Sequence, residues 1–440
     1  MATVTIVGAG SVEFTQEVVS DLLQQPSTRH INIHLMDINA DHLRDAERLV
    51  HRMMEAAGSR GSLHASTELR SMLHGADYVI NTVLVGGYEA IQRDFHIAAQ
   101  YGVRHTVGDT LGVSGIMRAV RTVPQVIDLA RAMEDVAPHA LLLNYTNPMS
   151  MLVMAIARSS SIQHYGLCHS TAHTASQVAE YLEVPFEDLH WLSAGINHMA
   201  WLLQLSVNGE DQYPRLLERS YDQQWFKKDP VRFDLLQRLG YFVTESSKHN
   251  AEYYAYFAHW PKEIERLGIP INEYLTRQRR NLSAYLQEQQ TRPLAEVLMS
   301  EPSGEYAPLL IQARETGETW WFQGNVMNDG LIENLPEDAC VEVPVLVNRH
   351  GILPTKVGRL PHVLAGLNHQ AVAVQQLTVD AILEGSRDLL YQAVMMDAQA
   401  GAAMTLDQMR NMVDDLLAAQ RDLVPSFAVR RLWPSVPMRV

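Results

Sequence analysis

Short apolar runs alternate with stretches of helical periodicity along the first part of the chain. Residues 3–7 and 31–36 are β-branched or apolar and predict strands, while residues 12–23 and 40–57 repeat apolar positions at helical spacing. A nearly continuous apolar run over residues 77–85 is typical of a strand that is buried on both faces. Strands and helices in this alternation favour a parallel sheet with helices on both sides.

The same alternation continues to about residue 182. Strands are predicted over residues 140–143 and 165–167, and helices over residues 115–136, 149–158 and 172–182. Ser170 or Thr171 is expected to cap the last helix, because a hydroxyl oxygen can accept from the first backbone N–H groups. Each predicted strand ends in a polar loop, including one at residues 86–89, and such loops gather at the ligand-binding edge of a doubly wound sheet.

The pattern changes after residue 191. Strands are expected over residues 192–196, 201–207, 320–327 and 340–347, with a hairpin turn at Asn208-Gly209. Helical spacing covers residues 231–239, 261–288 and most of 361–417. The predicted fold class is α/β, with a doubly wound Rossmann-type domain over residues 1–190. A C-terminal α+β domain over residues 191–440 would supply substrate, metal and oligomer contacts.

Composition and charge exclude several classes of partner. The 440 residues are 47% hydrophobic and 19% charged, as in ordinary globular proteins, and the net charge of −15 does not favour nucleic acid or an anionic membrane. No apolar run is long enough to span a bilayer, and the first residues enter a strand directly, without the pattern of a secretory segment. Cys168 and Cys340 are the only cysteines, and we expect both to be reduced in a cytoplasmic protein.

A glycine-containing turn directly after the first strand predicts a dinucleotide site. The segment reads Gly8-Ala9-Gly10-Ser11-Val12 and opens the first helix. Gly8 suits the tight turn, and Gly10 lets the backbone approach a pyrophosphate, although Glu13 stands where a third glycine is usual. Asp37 ends the second strand and suits a ribose 2′-hydroxyl, which favours NAD over NADP. The alternative is a turn of this kind that binds nothing.

Cys168 and His198 end consecutive predicted strands and indicate a metal site. A thiolate and an imidazole can together hold Mn, Fe, Co, Ni or Zn, and two protein ligands leave coordination positions for water or substrate. Cys168 also precedes a helix N-terminus, where backbone N–H groups favour the thiolate. The alternative is a small buried thiol and a core histidine that bind no metal.

Several further motifs occur together and extend over nearly the whole chain. Besides the glycine turn they read Val107-Gly108-Asp109-Thr110-Leu111-Gly112, Asn144-Tyr145-Thr146-Asn147-Pro148, Gly166-Leu167-Cys168-His169-Ser170, Gly195-Ile196-Asn197-His198-Met199, Glu252-Tyr253, Gly324-Asn325-Val326 and Val341-Glu342-Val343-Pro344. With these motifs the chain resembles the NAD-dependent family 4 glycoside hydrolases. Most glycosidases use two carboxylates, and this family is an exception.

The resemblance implies a glycosidase that uses NAD and Mn²⁺ or another divalent metal ion. Oxidation of the sugar at C3 would make the C2 proton removable, elimination would expel the group at C1, and water addition and re-reduction would complete hydrolysis. The implied partner is a small-molecule α-glycoside. The family also suggests a homodimer or homotetramer.

The resemblance further assigns roles to individual residues. Cys168 and His198 would bind the metal, and Tyr253 would remove the C2 proton. Asp109 is the preferred acid for the leaving group, and His169 stands where phospho-sugar members carry an aspartate. The cofactor would be bound by Gly8, Gly10, Ser11, Val12, Asp37 and Asn144, and the substrate by Asn147, His249 and Asn325.

The residues after the metal cysteine narrow the substrate. Members that act on 6-phospho-sugars have Asp or Asn there, whereas Cys168-His169-Ser170 resembles the α-galactosidase, or melibiase, branch. Thr171-Ala172 departs from that branch, so α-galacturonidase and α-glucosidase activities stay open. A lactate/malate-type NAD dehydrogenase is the alternative of another class, with Arg93, Arg118 or Arg121 as its carboxylate-binding residue. A non-enzymatic nucleotide sensor is a third hypothesis.

Overall fold

The computed structural model describes residues 1–277, 293 and 297–428 of the chain. Six parallel strands form one half of its sheet: β1 Thr3–Val7, β2 Asn32–Met36, β3 Leu63–Ser66, β4 Tyr78–Asn81, β5 Leu141–Asn144 and β6 His164–Leu167. Their spatial order is β3-β2-β1-β4-β5-β6, the order of a doubly wound nucleotide-binding sheet. The predicted Rossmann-type architecture is therefore confirmed. The order reverses between β1 and β4, where sheets of this kind bind ligands.

Helices cover both faces of these strands. They are Val12–Gln24, Ala40–Ala57, Leu69–Leu73, Gly87–Gln100, Gly112–Val136, Met149–Ser159 and Ser170–Leu182. The helix Ala40–Ala57 matches its prediction at both ends because its start and stop signals are local. The Asn39 side chain accepts from two backbone N–H groups, and Gly58 ends the helix in the left-handed region at φ 61°.

Three predictions in this half are wrong. The strand expected over residues 77–85 stops at Asn81, and the loop expected at 86–89 instead begins the helix Gly87–Gln100. Gly86 and Gly87 both have positive φ, so the chain turns sharply and the helix follows at once. The helix Ser170–Leu182 starts at Ser170 itself, so neither predicted hydroxyl caps it, and His169 precedes it without a capping bond.

The second half of the chain continues the same sheet. Its strands are β7 Leu189–Ile196, β8 Met199–Val207, β9 Glu210–Asp211, β10 Phe242–Val243, β11 Trp320–Met327, β12 Cys340–Asn348 and β13 Gly351–Pro354. β11 pairs antiparallel with β6, and the order continues as β11-β12-β7-β8-β10. The predicted boundary between residues 190 and 191 lies within β7, so the division into two domains stays a prediction.

A second set of helices surrounds these strands. They are Tyr213–Tyr221, Gln223–Phe226, Pro230–Leu239, Ser247–Tyr253, Pro261–Leu267, Tyr306–Thr316, His362–Glu384, Arg387–Met396, Ala398–Ala403 and Leu406–Ala419, with a 3₁₀ turn at Phe186–Asp188. The predicted turn at Asn208-Gly209 is confirmed, with φ of 51° and 81°. The helix predicted over 261–288 ends at Leu267, and residues 278–288 lie outside the described residues. Within the described ranges, no helix has the length and apolarity to cross a membrane.

Alternate residues of β12 face opposite sides of the sheet. Val341 and Val343 join the apolar cluster on one face, and Cys340 joins the cluster on the other. Glu342 lies between the two valines and therefore faces the same side as Cys340. A carboxylate is thereby placed at a fully buried position of a central strand.

A buried ion pair ties the end of the described chain to the first half. Arg121 Nη1 donates to Asp94 Oδ1 at 3.1 Å and to Gln420 Oε1 at 2.6 Å. All three side chains are fully buried. Arg121 therefore holds the segment after the helix Leu406–Ala419 against the helix Gly87–Gln100, and this use does not fit a carboxylate-binding residue of a dehydrogenase.

Replacement of Asp94 by Ala should lower the free energy of unfolding by about 3–5 kcal/mol, because it leaves the Arg121 guanidinium buried without its anion. Urea denaturation followed by circular dichroism measures the change. Asp41→Ala, which removes the exposed partner of Arg44, is the control and should cost less than about 1 kcal/mol. Similar losses in the two variants would contradict the role assigned to the buried pair.

Candidate active site

Cys168 and His198 meet at the edge of the sheet where the parallel strands end. Cys168 directly follows β6, and His198 lies in the two-residue turn between β7 and β8. The Cys168 Sγ atom lies 3.3 Å from His198 Nε2, and the thiol donates to Ser170 Oγ at 3.2 Å. His198 has a φ of 62°, a left-handed conformation that is uncommon for a residue other than glycine. The hairpin turn thus fixes the direction of the imidazole.

The pKa values of this pair favour a charged thiolate and imidazolium. Burial by itself raises the pKa of the Cys168 thiol, but the neighbouring His198 charge lowers it to about 7. Burial by itself lowers the pKa of His198, but the Cys168 and Glu245 charges raise it to about 9. A thiol that ionises near neutral pH is a ready ligand for a metal ion.

The other nitrogen of His198 contacts Tyr253. His198 Nδ1 lies 3.1 Å from the Tyr253 hydroxyl and 3.0 Å from Thr110 Oγ1. Burial, together with the nearby Asp109 carboxylate, raises the pKa of Tyr253 well above its ordinary value. The phenol is therefore neutral in the protein alone, and a strong positive charge must act on it before it can serve as a base.

A row of alternating carboxylates and imidazoles extends from this pair. Glu245 Oε2 lies 3.5 Å from His198 Nε2, and Glu245 Oε1 lies 2.9 Å from His249 Nδ1. His249 Nε2 in turn lies 3.4 Å from Asp109 Oδ1. Despite their burial, the pKa of Asp109 is lowered by His249, and the pKa of His249 is raised by Glu245 and Asp109. Asp109 is therefore expected to be ionised and to form an ion pair with His249. Its role as the leaving-group acid stays a prediction.

Two of the predicted substrate residues join this row. Asn147 Nδ2 donates to Asp109 Oδ2 at 3.0 Å, and the Asn147 carbonyl accepts from Arg118 Nε at 3.0 Å. His249 is part of the row itself. Its nitrogen, an Asp109 oxygen and a His198 nitrogen lie within 4.8 Å of one another, so these three residues are a second set of possible metal donors beside Cys168.

The third predicted substrate residue, Asn325, lies deeper. It occupies the middle of β11, opposite Gly166 of β6, and is fully buried. Cys168 follows Gly166 by two positions, so its side chain lies on the same face of the sheet as Asn325.

His169 lies at the rim of the site. Its side chain is 58% exposed, and its Nδ1 atom lies 3.2 Å from Oε1 of the buried Glu305. The hydrogen bond that His169 donates to the Glu305 carboxylate raises the pKa of His169 to about 9. Burial and the Glu305 charge also raise the pKa of Glu17, on the helix Val12–Gln24, to about 7. Glu305 therefore lies between Glu17, on the helix that follows the glycine turn, and His169, which follows Cys168.

The glycine turn has the compact geometry that its sequence predicts. Gly8 has a φ of 93°, and its N–H donates to the Met36 carbonyl at 2.9 Å. The Gly10 N–H donates to Asp37 Oδ2 at 2.8 Å, and a Cβ atom on Gly10 would lie 2.5 Å from that oxygen. Ser11 precedes the helix Val12–Gln24 and makes no side-chain capping bond. The backbone N–H groups at this helix start are suited to a phosphate.

Asn144, the remaining predicted cofactor residue, lies inside the sheet. Its Oδ1 atom accepts from Asn81 Nδ2 at 2.8 Å, and its Nδ2 atom donates to the Thr146 carbonyl at 2.9 Å. It links the ends of β4 and β5, and its role towards a cofactor stays a prediction.

Sequence reasoning missed the glutamates that organise the site. Glu252 accepts from the backbone N–H groups of Thr106, Val107 and Gly108 at 2.8, 3.2 and 2.7 Å, which fixes the loop that carries Asp109. Glu245 and Glu305 contact His198 and His169. The position of Glu252, directly before the predicted base Tyr253, could have drawn attention to it. No local sequence feature marks Glu245 or Glu305.

Two family models match the chain. The model described as "Family 4 glycosyl hydrolase" matches residues 3–184, and "Family 4 glycosyl hydrolase C-terminal domain" matches residues 193–400. An alpha-galactosidase of Bacillus subtilis (strain 168) is 37% identical over 431 residues, covering 97% of this chain and 100% of the relative. An alpha-galactosidase of Rhizobium meliloti (strain 1021) is 33% identical over 442 residues, covering 97% of this chain and 89% of the relative.

Solved structures share the fold. A 6-phospho-alpha-glucosidase from gut microorganisms, solved in complex with NAD and Mn²⁺, has a TM-score of 0.82 at 20% identity and covers 97% of this chain and 100% of its own. A 6-phospho-beta glucosidase from Thermotoga maritima, solved with manganese, NAD⁺ and glucose-6-phosphate, has a TM-score of 0.80 at 22% identity, with the same coverage. The predicted α/β fold class is confirmed over nearly the whole chain.

Glu252→Gln should loosen the loop that carries Asp109, because one amide oxygen cannot replace a carboxylate that accepts from three N–H groups. We expect a loss of about 1–3 kcal/mol in unfolding free energy and faster hydrogen exchange at residues 106–108. Urea denaturation and exchange mass spectrometry measure the two effects. Glu180→Gln, at an exposed pair with Lys228, is the control. Unchanged protection of the loop in Glu252→Gln would refute its assigned role.

Glu17→Gln should stabilise the protein only at higher pH. The folded-state pKa of Glu17 is raised from 4.5 to about 7. The contribution of Glu17 to the free energy of unfolding is therefore fully present below pH 4.5 and is lost as the pH rises through 7. The variant should therefore match the wild-type Tm at pH 4 and exceed it at pH 8. Glu55→Gln, at an exposed site on the helix Ala40–Ala57, should show no such trend. A Tm difference that does not grow with pH would argue against the burial of this carboxyl.

Proposed function

Because the chain belongs to the family 4 glycosyl hydrolases, we propose that it hydrolyses α-galactosides with NAD and Mn²⁺ as cofactors. The observation that carries the proposal is the Cys168–His198 pair, 3.3 Å apart, with the Tyr253 hydroxyl on the other side of the same imidazole. The two relatives that are 37% and 33% identical, both named alpha-galactosidase, support the galactoside.

The donor set fits a divalent metal ion. A sulfur and an imidazole nitrogen that lie 3.3 Å apart can bind one ion together. The Asp109, His198 and His249 donors lie within 4.8 Å of one another beside them. The fold neighbours solved with NAD and with manganese support this choice of cofactors.

The glycine turn fits a dinucleotide. A side chain on Gly10 would collide with the Asp37 carboxylate, so the backbone there stays bare at the start of a helix. Gly8, Ser11 and Val12 complete the turn. Asp37 lies where a ribose hydroxyl would be recognised.

When bound, NAD⁺ would accept a hydride from sugar C3 and the metal ion would act as a Lewis acid on the sugar oxygens. In our proposal Tyr253 takes the C2 proton, because its hydroxyl faces the ligand His198. Asn147 orients the sugar from its position beside Asp109. Asp109 and His169 are the two candidates for the group that protonates the leaving oxygen.

No specific observation favours the dehydrogenase alternative. Arg121 is buried in its ion pair, Arg93 reaches Asp422 at 3.7 Å, and Arg118 donates to a backbone carbonyl. Membership of a hydrolase family replaces that hypothesis. The homodimer or homotetramer and the cytoplasmic location stay predictions.

The proposed function is tested by hydrolysis of an aryl α-galactoside in D₂O with NAD⁺, Mn²⁺ and a reductant. We expect deuterium at C2 of the released galactose, no net NADH, and loss of activity on chelation. Aryl α-glucoside and α-galacturonide, assayed alongside, should be slower. The variant Cys168→Ser replaces the ligand sulfur atom by oxygen, and it should abolish both turnover and Mn²⁺ binding. Cleavage without C2 deuterium that survives removal of NAD would overturn the proposal.

A further inference from the structure

One row of paired residues crosses four strands of the sheet beneath the proposed metal ligands. Gly166 of β6 lies opposite Asn325 of β11, Asn325 lies opposite Glu342 of β12, and Glu342 lies opposite Gly195 of β7. Cys168 follows the first residue of the row by two positions. The two proposed metal ligands therefore follow the two outer strands of the row, and their side chains meet with Sγ and Nε2 3.3 Å apart.

The central members are buried and unpaired. Asn325 and Glu342 are both 0% exposed. Neither carboxyl oxygen of Glu342 and neither amide atom of Asn325 has a hydrogen-bond partner among residues 1–277, 293 and 297–428. The side chain of Asn197, next to His198, also lacks a partner among these residues. The Thr171 hydroxyl makes no hydrogen bond of good geometry, but it lies close enough to Glu342 to lower the pKa of that carboxyl. Because buried polar groups are almost always paired, and a buried carboxylate is costly without a partner, this cluster is suited to a cation.

The electrostatic setting of Glu342 points to the same place. Burial raises the pKa of Glu342 well above its ordinary value, the Cys168 thiolate raises it further, and the His198 charge opposes both. Glu342 is thus close enough to feel both proposed ligands. The row that holds Glu342 ends in Gly166 and Gly195, neither of which carries a side chain.

We propose that Glu342 belongs to the metal centre, where its carboxylate adds to the negative charge of the Cys168 thiolate around the divalent ion. Asn325 lies opposite Glu342 across the strand pair, on the same face of the sheet. A thiolate and an imidazole alone suit zinc, whereas an added carboxylate suits Mn²⁺. The inference rests on the metal site of the proposed function and adds to it a residue that selects the metal.

The test compares wild type with Glu342→Gln, which keeps the shape and removes the charge. Mn²⁺ is titrated into each protein with NAD present, and free Mn²⁺ is followed by electron paramagnetic resonance. We expect the Kd for Mn²⁺ to rise about 10–100-fold. Calorimetry in buffers of different ionisation enthalpy should show about one proton fewer released on Mn²⁺ binding, because the glutamine has none to lose.

The remote Asp94→Asn is the matched control for damage to a buried acid, and its Kd for Mn²⁺ should stay within about twofold of wild type. If Glu342→Gln does not fold, Glu342→Asp should bind Mn²⁺ more weakly but release as many protons as wild type. An unchanged Kd and proton count in Glu342→Gln would overturn the inference and leave the metal site intact. A wild type that binds no Mn²⁺ would overturn the proposed metal site itself, and this inference with it.

Discussion

The antiparallel pairing of β11 with β6 is the contact on which the site depends. It adds strands from late in the chain to the last parallel strand, and β7 then joins the sheet through β12. Cys168 and His198 therefore follow strands that are separated by two others, and yet their side chains lie 3.3 Å apart. A shift of β11 by one residue would move Asn325 to the other face of the sheet.

The charges of the site form one connected system. From Cys168 through His198, Glu245 and His249 to Asp109, thiol, imidazole and carboxylate alternate within 3.5 Å of one another. Each member sets the protonation of the next, so replacement of any one changes all the others. This coupling explains how five ionisable groups can be held together in a buried place. Effects of variants in the row should accordingly not add.

Local signals and distant contacts differ in what the sequence reveals. The helix Ala40–Ala57 and the strand Trp320–Met327 could be predicted at both ends, and the helix owes this to its caps, which lie directly beside it in the sequence. The Cys168–His198 pair was found through its motifs, although thirty residues separate the two. Glu342 stands in one of the family motifs, but the motif assigns it no role: a charge within an apolar strand pattern indicates an exposed face until the strand is known to be central. Its meaning depends on a pairing between residues far apart in the chain.

A sheet shared by both halves also limits how this protein can move. Enzymes built from separate bodies admit ligands by rotating one body about a flexible connection. Such a rotation here would break the backbone bonds between β6 and β11, which are buried beside the Cys168–His198 pair. Any opening must instead come from segments that connect the strands at the sheet edge. The loop that carries Asp109 is held in place, because Glu252 accepts from three of its N–H groups. The shared sheet therefore keeps the glycine turn and the Cys168–His198 pair at a constant spacing.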